Sequence, residues 1–146
     1  MDEEVRREII MSNYMQPVGK KDTPKDTSNY KMVNSKNDSC IDNLDIYVDI
    51  KDGVIKDIFF NGEACAISTS STSIMINELI GKTTKEAINY INNFENMINE
   101  KEYNKEILGE SLAYEEIYKQ GNRKHCAHLP YIGLKKVIEE YEETNN

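Results

Sequence analysis

No apolar run in the 146 residues approaches the roughly 20 that a membrane-spanning helix needs. The opening stretch, MDEEVRREII, is charged where a secretory signal is apolar. These two absences point to a cytoplasmic protein with no membrane partner. Basic charge is also in short supply: 18 Lys and Arg stand against 26 Asp and Glu, a net charge of -8, which repels a phosphate backbone and argues against a nucleic-acid partner. Seven glycines and three prolines are too few for a disordered or fibrous chain. There is no internal repeat, no low-complexity segment and no CxxC knuckle. The three cysteines are an odd number, better read in a reducing compartment as thiols awaiting a metal or a sulfur atom than as a disulfide frame. The length suits one domain over 1–146 with one moderate core.

What is present falls into alternating patterns. Val5, Ile9 and Ile10 among charges predict a first amphipathic helix over Glu3 to Met15. The following QPVGKKDTPKDTS reads as a flexible, exposed connection over about 16–29. A short strand over Tyr30 to Ser35 leads to the turn-forming Asn37, Asp38 and Ser39, which lift Cys40 onto a loop. Leu44, Ile46, Val48 and Ile50 then alternate with polar partners, as in a strand with one buried face. Asp52 and Gly53 separate that strand from a second one over Val54 to Phe60, a strong signal for an antiparallel hairpin. Cys40 precedes the hairpin and Cys65 follows it, so pairing brings those two cysteines to the same edge of the sheet.

Helices follow. One runs from Ile67 to a stop at Gly81, and one from a cap at Thr83 or Thr84 through Ile98. Asn99 to Gly109 reads as a polar loop and Ser111 to Lys119 as one short helix. Gly121 to His125 leads into Cys126, and a final helix carries Leu134, Val137, Ile138 and Tyr141.

Chemistry concentrates at NGEACAISTSSTSIM, Asn61 to Met75. Cys65 sits just ahead of a helix N-terminus, where peptide dipoles and free N–H groups favour the thiolate that binds metals and attacks sulfur. The candidate metal set is Cys40, Asp42, Cys65 and Cys126, with His125 as an alternative ligand. Three soft thiolates and one harder donor suit tetrahedral zinc, and thiolates equally suit an iron–sulfur cluster, so ligand chemistry alone leaves both open. Each cysteine has a plainer reading as a small buried hydrophobe. None lies on the apolar face of a periodic segment, and all three read as presented rather than packed. Asp42 alone is an ordinary turn carboxylate; its place two residues after Cys40 makes it a ligand candidate. His125 adjoins Cys126 and, since neighbours point apart, reads as a surface or supporting group. His128 reads as solvated or capping, and Arg123 as a surface charge that near a thiolate cluster would stabilise anionic sulfur. The run Ser68 to Ser73 lacks a nucleophile elbow and a paired base, so it reads as capping and helix surface.

Three blocks together resemble the NifU-N/IscU-like superfamily, and within it the SufU branch of Gram-positive bacteria. They are NDSCID at Asn37 to Asp42, GEACAISTSSTSIM at Gly62 to Met75, and RKHCAHL at Arg123 to Leu129. The resemblance covers nearly the whole chain, and the stretch of about 99–121 resembles the insertion that sets SufU apart from shorter IscU scaffolds. It implies an α+β fold, a three-stranded antiparallel β-sheet covered by helices, and zinc held by Cys40, Asp42, Cys65 and Cys126. It further implies that Cys40 accepts persulfide sulfur from a SufS-type cysteine desulfurase, with downstream iron–sulfur assembly proteins as recipients and Arg123 stabilising the anion. The alternative it carries is a scaffold that builds and transfers a [2Fe–2S] cluster. Two departures stand out: Ile41 replaces a glycine between cysteine and aspartate, and His125 next to Cys126 resembles the His-Cys pair of IscU.

Overall fold

Asp52 and Gly53 turn the chain with φ of 54° and 75°, the doubly positive geometry of the two-residue turn that matches the twist of antiparallel strands. The turn joins β2 (Asn43–Lys51) to β3 (Val54–Glu63), and β1 (Lys31–Lys36) pairs antiparallel with the other edge of β2, giving a three-stranded sheet in the order β1-β2-β3. The computed structural model describes residues 1–38 and 41–145. Cys40, the expected sulfur acceptor, lies outside the described residues.

The period-two pattern places Leu44, Ile46 and Val48 on the core face, where Ile46 and Val48 oppose Phe60 and Ile58 across the ladder. Burying each such side chain contributes about 1.5–3 kcal/mol. The other face carries Phe59, stacked at 4.5 Å on Tyr47 and met edge-on by Tyr30 at 4.9 Å. Part of the stretch between the first helix and β1 is pinned along β3. Phe60 N–H donates to the Gly19 carbonyl at 2.9 Å, and Lys21 N–H donates to the Phe60 carbonyl at 3.0 Å. This backbone pairing covers part of an otherwise open sheet edge.

Helices α1 (Glu3–Met15), α2 (Ala66–Leu79), α3 (Thr84–Ile98) and α4 (Gly121–Thr144) complete the α+β fold. Thr83 and Glu86 form a reciprocal capping box that starts α3. Helix α2 ends before Gly81, whose φ of +91° favours glycine. Two elements differ from expectation. In place of a polar loop and one short helix, the chain from Lys105 to Lys119 forms three short 3-10 turns, Lys105–Ile107, Gly109–Tyr114 and Ile117–Lys119. They are held down by the buried side chains of Leu108, Tyr114 and Ile117. Helix α4 begins before Cys126 and continues through Pro130.

The largest departure is α2. The run Ser68 to Ser73 is buried, not helix surface. Each hydroxyl finds a partner, which removes the penalty for burying it. Ser70 bonds the Tyr114 hydroxyl at 2.6 Å, Thr72 donates to the Ser68 carbonyl at 2.7 Å, and Ser73 donates to Asn13 Oδ1 at 2.7 Å. Ser71 points at α4 and donates to the Ala127 carbonyl at 2.6 Å, and the Ser68 hydroxyl stands 3.0 Å from the Cys126 carbonyl. Small side chains thus make α2 a central helix bonded to α1, α4 and the 3-10 turn around Tyr114.

Candidate metal centre

Asp42, Cys65 and Cys126 arrive at one point from three elements: the segment just ahead of β2, the N-terminus of α2, and the second turn of α4. One ligand atom from each, two sulfurs and a carboxylate oxygen, lies within 4.8 Å of the others. A tetrahedral zinc site with Zn–S bonds near 2.3 Å and Zn–O bonds near 2.1 Å places its ligand atoms roughly 3.5–3.8 Å apart. The separation of 3.8 Å between Cys65 Sγ and Asp42 Oδ2 already falls at that spacing. Two soft sulfurs with one carboxylate fit such an ion and leave room in its shell for a further ligand.

Local structure fixes each group. Cys65 caps α2: its backbone is extended, and its sulfur accepts from Ser68 N–H at 3.4 Å. Its own N–H donates to Asp42 Oδ1 at 2.7 Å. The other oxygen, Oδ2, accepts from the Ser68 hydroxyl at 2.5 Å. The Asp42 carbonyl accepts from Asn37 N–H at 3.1 Å, tying the residue after β1 to the approach to β2. The Asn37 side-chain amide stands 3.9 Å from Cys126 Sγ.

Electrostatics follow from this packing. Burial pushes the Asp42 carboxyl upward, but the Ser68 hydroxyl, the Cys65 N–H and the two neighbouring thiols outweigh it and hold the group below the ordinary carboxylate range. Cys126 goes the other way. Burial, with Cys65 and Asp42 beside it, raises its thiol well above the usual range. The structure therefore sets a charged carboxylate beside a neutral thiol, and a divalent cation would favour deprotonation of that sulfur.

The site opens onto a cleft of about 420 Å³ whose lining includes Asn37, Cys65, Ile67, Arg123 and Cys126. Arg123 is exposed on its wall, as a surface charge should be. His125 is also exposed and lies outside the group formed by Asp42, Cys65 and Cys126 among the described residues. Asp42 is buried, 1% exposed, and Cys126 is packed rather than presented, at 6%. Cys126 is packed because α4, which carries it, lies against both β1 and α2. His128 is half-buried and pairs with Glu95 of α3 at 2.8 Å, away from the first helical turn.

Sequence reasoning missed Ser68 and Asn37. The sign for Ser68 was the absence of any charged residue from Ala66 to Asn77, since a helix with a solvated face carries charges on it.

Comparison with known proteins agrees with this geometry. The model of the NifU-like N terminal domain matches residues 6–146. The chain is 30% identical over 140 residues to the zinc-dependent sulfurtransferase SufU of Bacillus subtilis, covering 95% of this chain and 92% of that protein. It is 31% identical over 103 residues to the iron–sulfur cluster assembly scaffold protein IscU of Thermotoga maritima, covering 70% and 72%. The crystal structure of a putative iron–sulfur cluster assembly scaffold protein for the SUF system from Fervidobacterium islandicum superposes with a TM-score of 0.77 at 33% identity, covering 88% of this chain and 92% of that one. With a family model spanning nearly its whole length and three donor side chains converging where the motifs lie, this chain belongs to the NifU-like N-terminal domain family.

Proposed function

We propose that this protein is a zinc-dependent sulfurtransferase of iron–sulfur cluster assembly, accepting persulfide sulfur from a SufS-type cysteine desulfurase. The observation that carries the reading is the convergence of Asp42, Cys65 and Cys126 within 4.8 Å, in a chain similar along 95% of its length to a zinc-dependent sulfurtransferase. Cys40 completes the ligand set. The stretch of about 99–121 is read as the SufU-type insertion of a single domain. No helix among the described residues is long and apolar enough to cross a membrane, in keeping with work in the cytoplasm beside the desulfurase and the downstream assembly proteins.

Zinc held by Cys40, Asp42, Cys65 and Cys126 would keep its sulfur ligands deprotonated and ordered. The transfer itself belongs to Cys40. Its thiolate attacks the terminal sulfur of the donor's persulfide; a bond forms between Cys40 and that sulfur, the donor's S–S bond breaks, and the donor cysteine leaves as a thiolate. Arg123, on the cleft wall, offers positive charge to the incoming anion. Cys65 and Asp42, tied by the N–H bond of 2.7 Å, act as the anchored part of the site.

The test is metal analysis of the purified protein, with desulfurase assays on the wild type and Cys40→Ala. Bound zinc, a stimulated desulfurase and loss of stimulation in Cys40→Ala are expected. A protein that holds no zinc and stimulates nothing contradicts the reading. The second reading, a scaffold that builds and passes on a [2Fe–2S] cluster, is favoured by the exposed His125 beside Cys126 and by the likeness to the Thermotoga scaffold. Anaerobic reconstitution followed by Mössbauer spectra separates the two: a transferable cluster supports the scaffold, and a tightly zinc-loaded protein that yields none supports the sulfurtransferase.

A further inference from the structure

Helix α4 contains Pro130, which has no N–H to donate to the carbonyl four residues earlier. That carbonyl belongs to Cys126, one of the candidate ligands, and the Ser68 hydroxyl stands 3.0 Å from it. The same hydroxyl stands 2.5 Å from Asp42 Oδ2. A serine hydroxyl has one proton, and both neighbours are acceptors. Ser68 can satisfy either fully, but not both.

We propose that Ser68 is a switching, positioning residue for the metal centre and that Pro130 supplies its second acceptor. With Asp42 bare, Ser68 donates to Oδ2; when Oδ2 engages a cation and becomes a poorer acceptor, the hydroxyl turns to the Cys126 carbonyl. No bond other than the hydrogen bond changes, and no proton leaves the serine. The buried hydroxyl is satisfied in both states, so Asp42 is freed for the cation without stranding a polar group. A residue with an N–H at position 130 would add a competing donor to the Cys126 carbonyl from within the helix and make it a weaker acceptor for Ser68. Ser71, which donates to the adjacent Ala127 carbonyl at 2.6 Å, holds α4 against α2 in either state.

The inference rests on the proposed zinc centre, and a double-mutant cycle separates its failure from the failure of that reading. Zinc affinity is measured by competition with a chromogenic chelator for the wild type, Pro130→Ala, Ser68→Ala and the double variant. Partners that orient metal ligands typically change affinity by about 10–100-fold when lost, so Pro130→Ala is expected to weaken zinc binding by about tenfold. The same change in the Ser68→Ala background is expected to have no effect, because the hydroxyl that uses the carbonyl is gone. Pro130→Val, which keeps three side-chain carbons while restoring the N–H, is expected to match Pro130→Ala. An equal effect in both backgrounds, or no effect in either, with wild-type zinc binding intact, overturns the switch alone. A wild type that binds no zinc overturns the metal centre itself.

Discussion

At the scale of single residues, the site depends on one carboxylate with both oxygens engaged. Asp42 accepts from the Cys65 N–H at 2.7 Å and from Ser68 at 2.5 Å. Asp42→Asn keeps an oxygen for the Cys65 N–H but loses the charge, so zinc affinity is expected to fall while the metal-free protein keeps its denaturation midpoint. Asp42→Ala loses both and leaves the Cys65 N–H without its acceptor, a cost of about 1–3 kcal/mol. Denaturant melts of the metal-free variants distinguish these outcomes; equal stability of the two would contradict the account. The ligand candidates were legible in sequence because thiols and a carboxylate sat in turn-like, non-periodic surroundings. Hairpin pairing predicted that Cys40 and Cys65 share one edge of the sheet; Cys40 lies outside the described residues, and Asp42 is the group found bonded to Cys65. Ser68 was not legible as a site residue, since its role comes from α4 approaching a helix that is distant in sequence.

At the scale of elements, polar groups do structural work that hydrophobic periodicity does not reveal. The hairpin, the start of α3 and the end of α2 follow from Asp52-Gly53, Thr83 and Gly81, where local backbone chemistry decides the outcome. The burial of α2 depends on long-range bonds made by its hydroxyls, for which a sequence carries no period. Ser71→Ala removes the bond to the Ala127 carbonyl and is expected to destabilise the fold by about 1 kcal/mol, read from a urea midpoint. A second tie joins α3 to α4: Glu95 accepts from Lys135 at 3.0 Å and pairs with His128 at 2.8 Å. Burial pushes the Glu95 carboxyl up, but His128 and Lys135 outweigh it and hold it low. Its contribution is therefore present above the unfolded value near pH 4.3 and lost as the pH falls through the lower folded value. Glu95→Gln is expected to be less stable than the wild type at neutral pH and equally stable in acid; a constant difference across that range would contradict the pairing.

For the whole molecule, the metal-free state should be sensitive to alkali. The Cys126 thiol is raised by burial and by its neighbours Cys65 and Asp42, so the unfolded chain gives up this proton first. Stability is then present below the unfolded thiol value near pH 8.5 and lost as the pH rises beyond it. Cys126→Ser is expected to flatten the onset of that loss, leaving the later decline from the buried Tyr90, Tyr114 and Tyr131 hydroxyls, which are raised as well. Zinc is expected to act in the opposite sense, since a thiolate site binds it more tightly as the pH rises. At a free concentration of about 100 times Kd it adds roughly 2.7 kcal/mol, which raises Tm by roughly 8 °C in a chain of this size. Thermal melts with and without zinc at several pH values read both effects. The candidate metal centre joins the approach to β2, the start of α2 and α4, and its ligand set is therefore the point at which fold and proposed function meet. The most direct measurement is zinc K-edge X-ray absorption on the protein as purified. A tetrahedral shell dominated by sulfur with one light-atom ligand, losing one sulfur in Cys65→Ser and again in Cys126→Ser, is the predicted result. A shell of oxygen and nitrogen alone, or one unchanged by both substitutions, would contradict it.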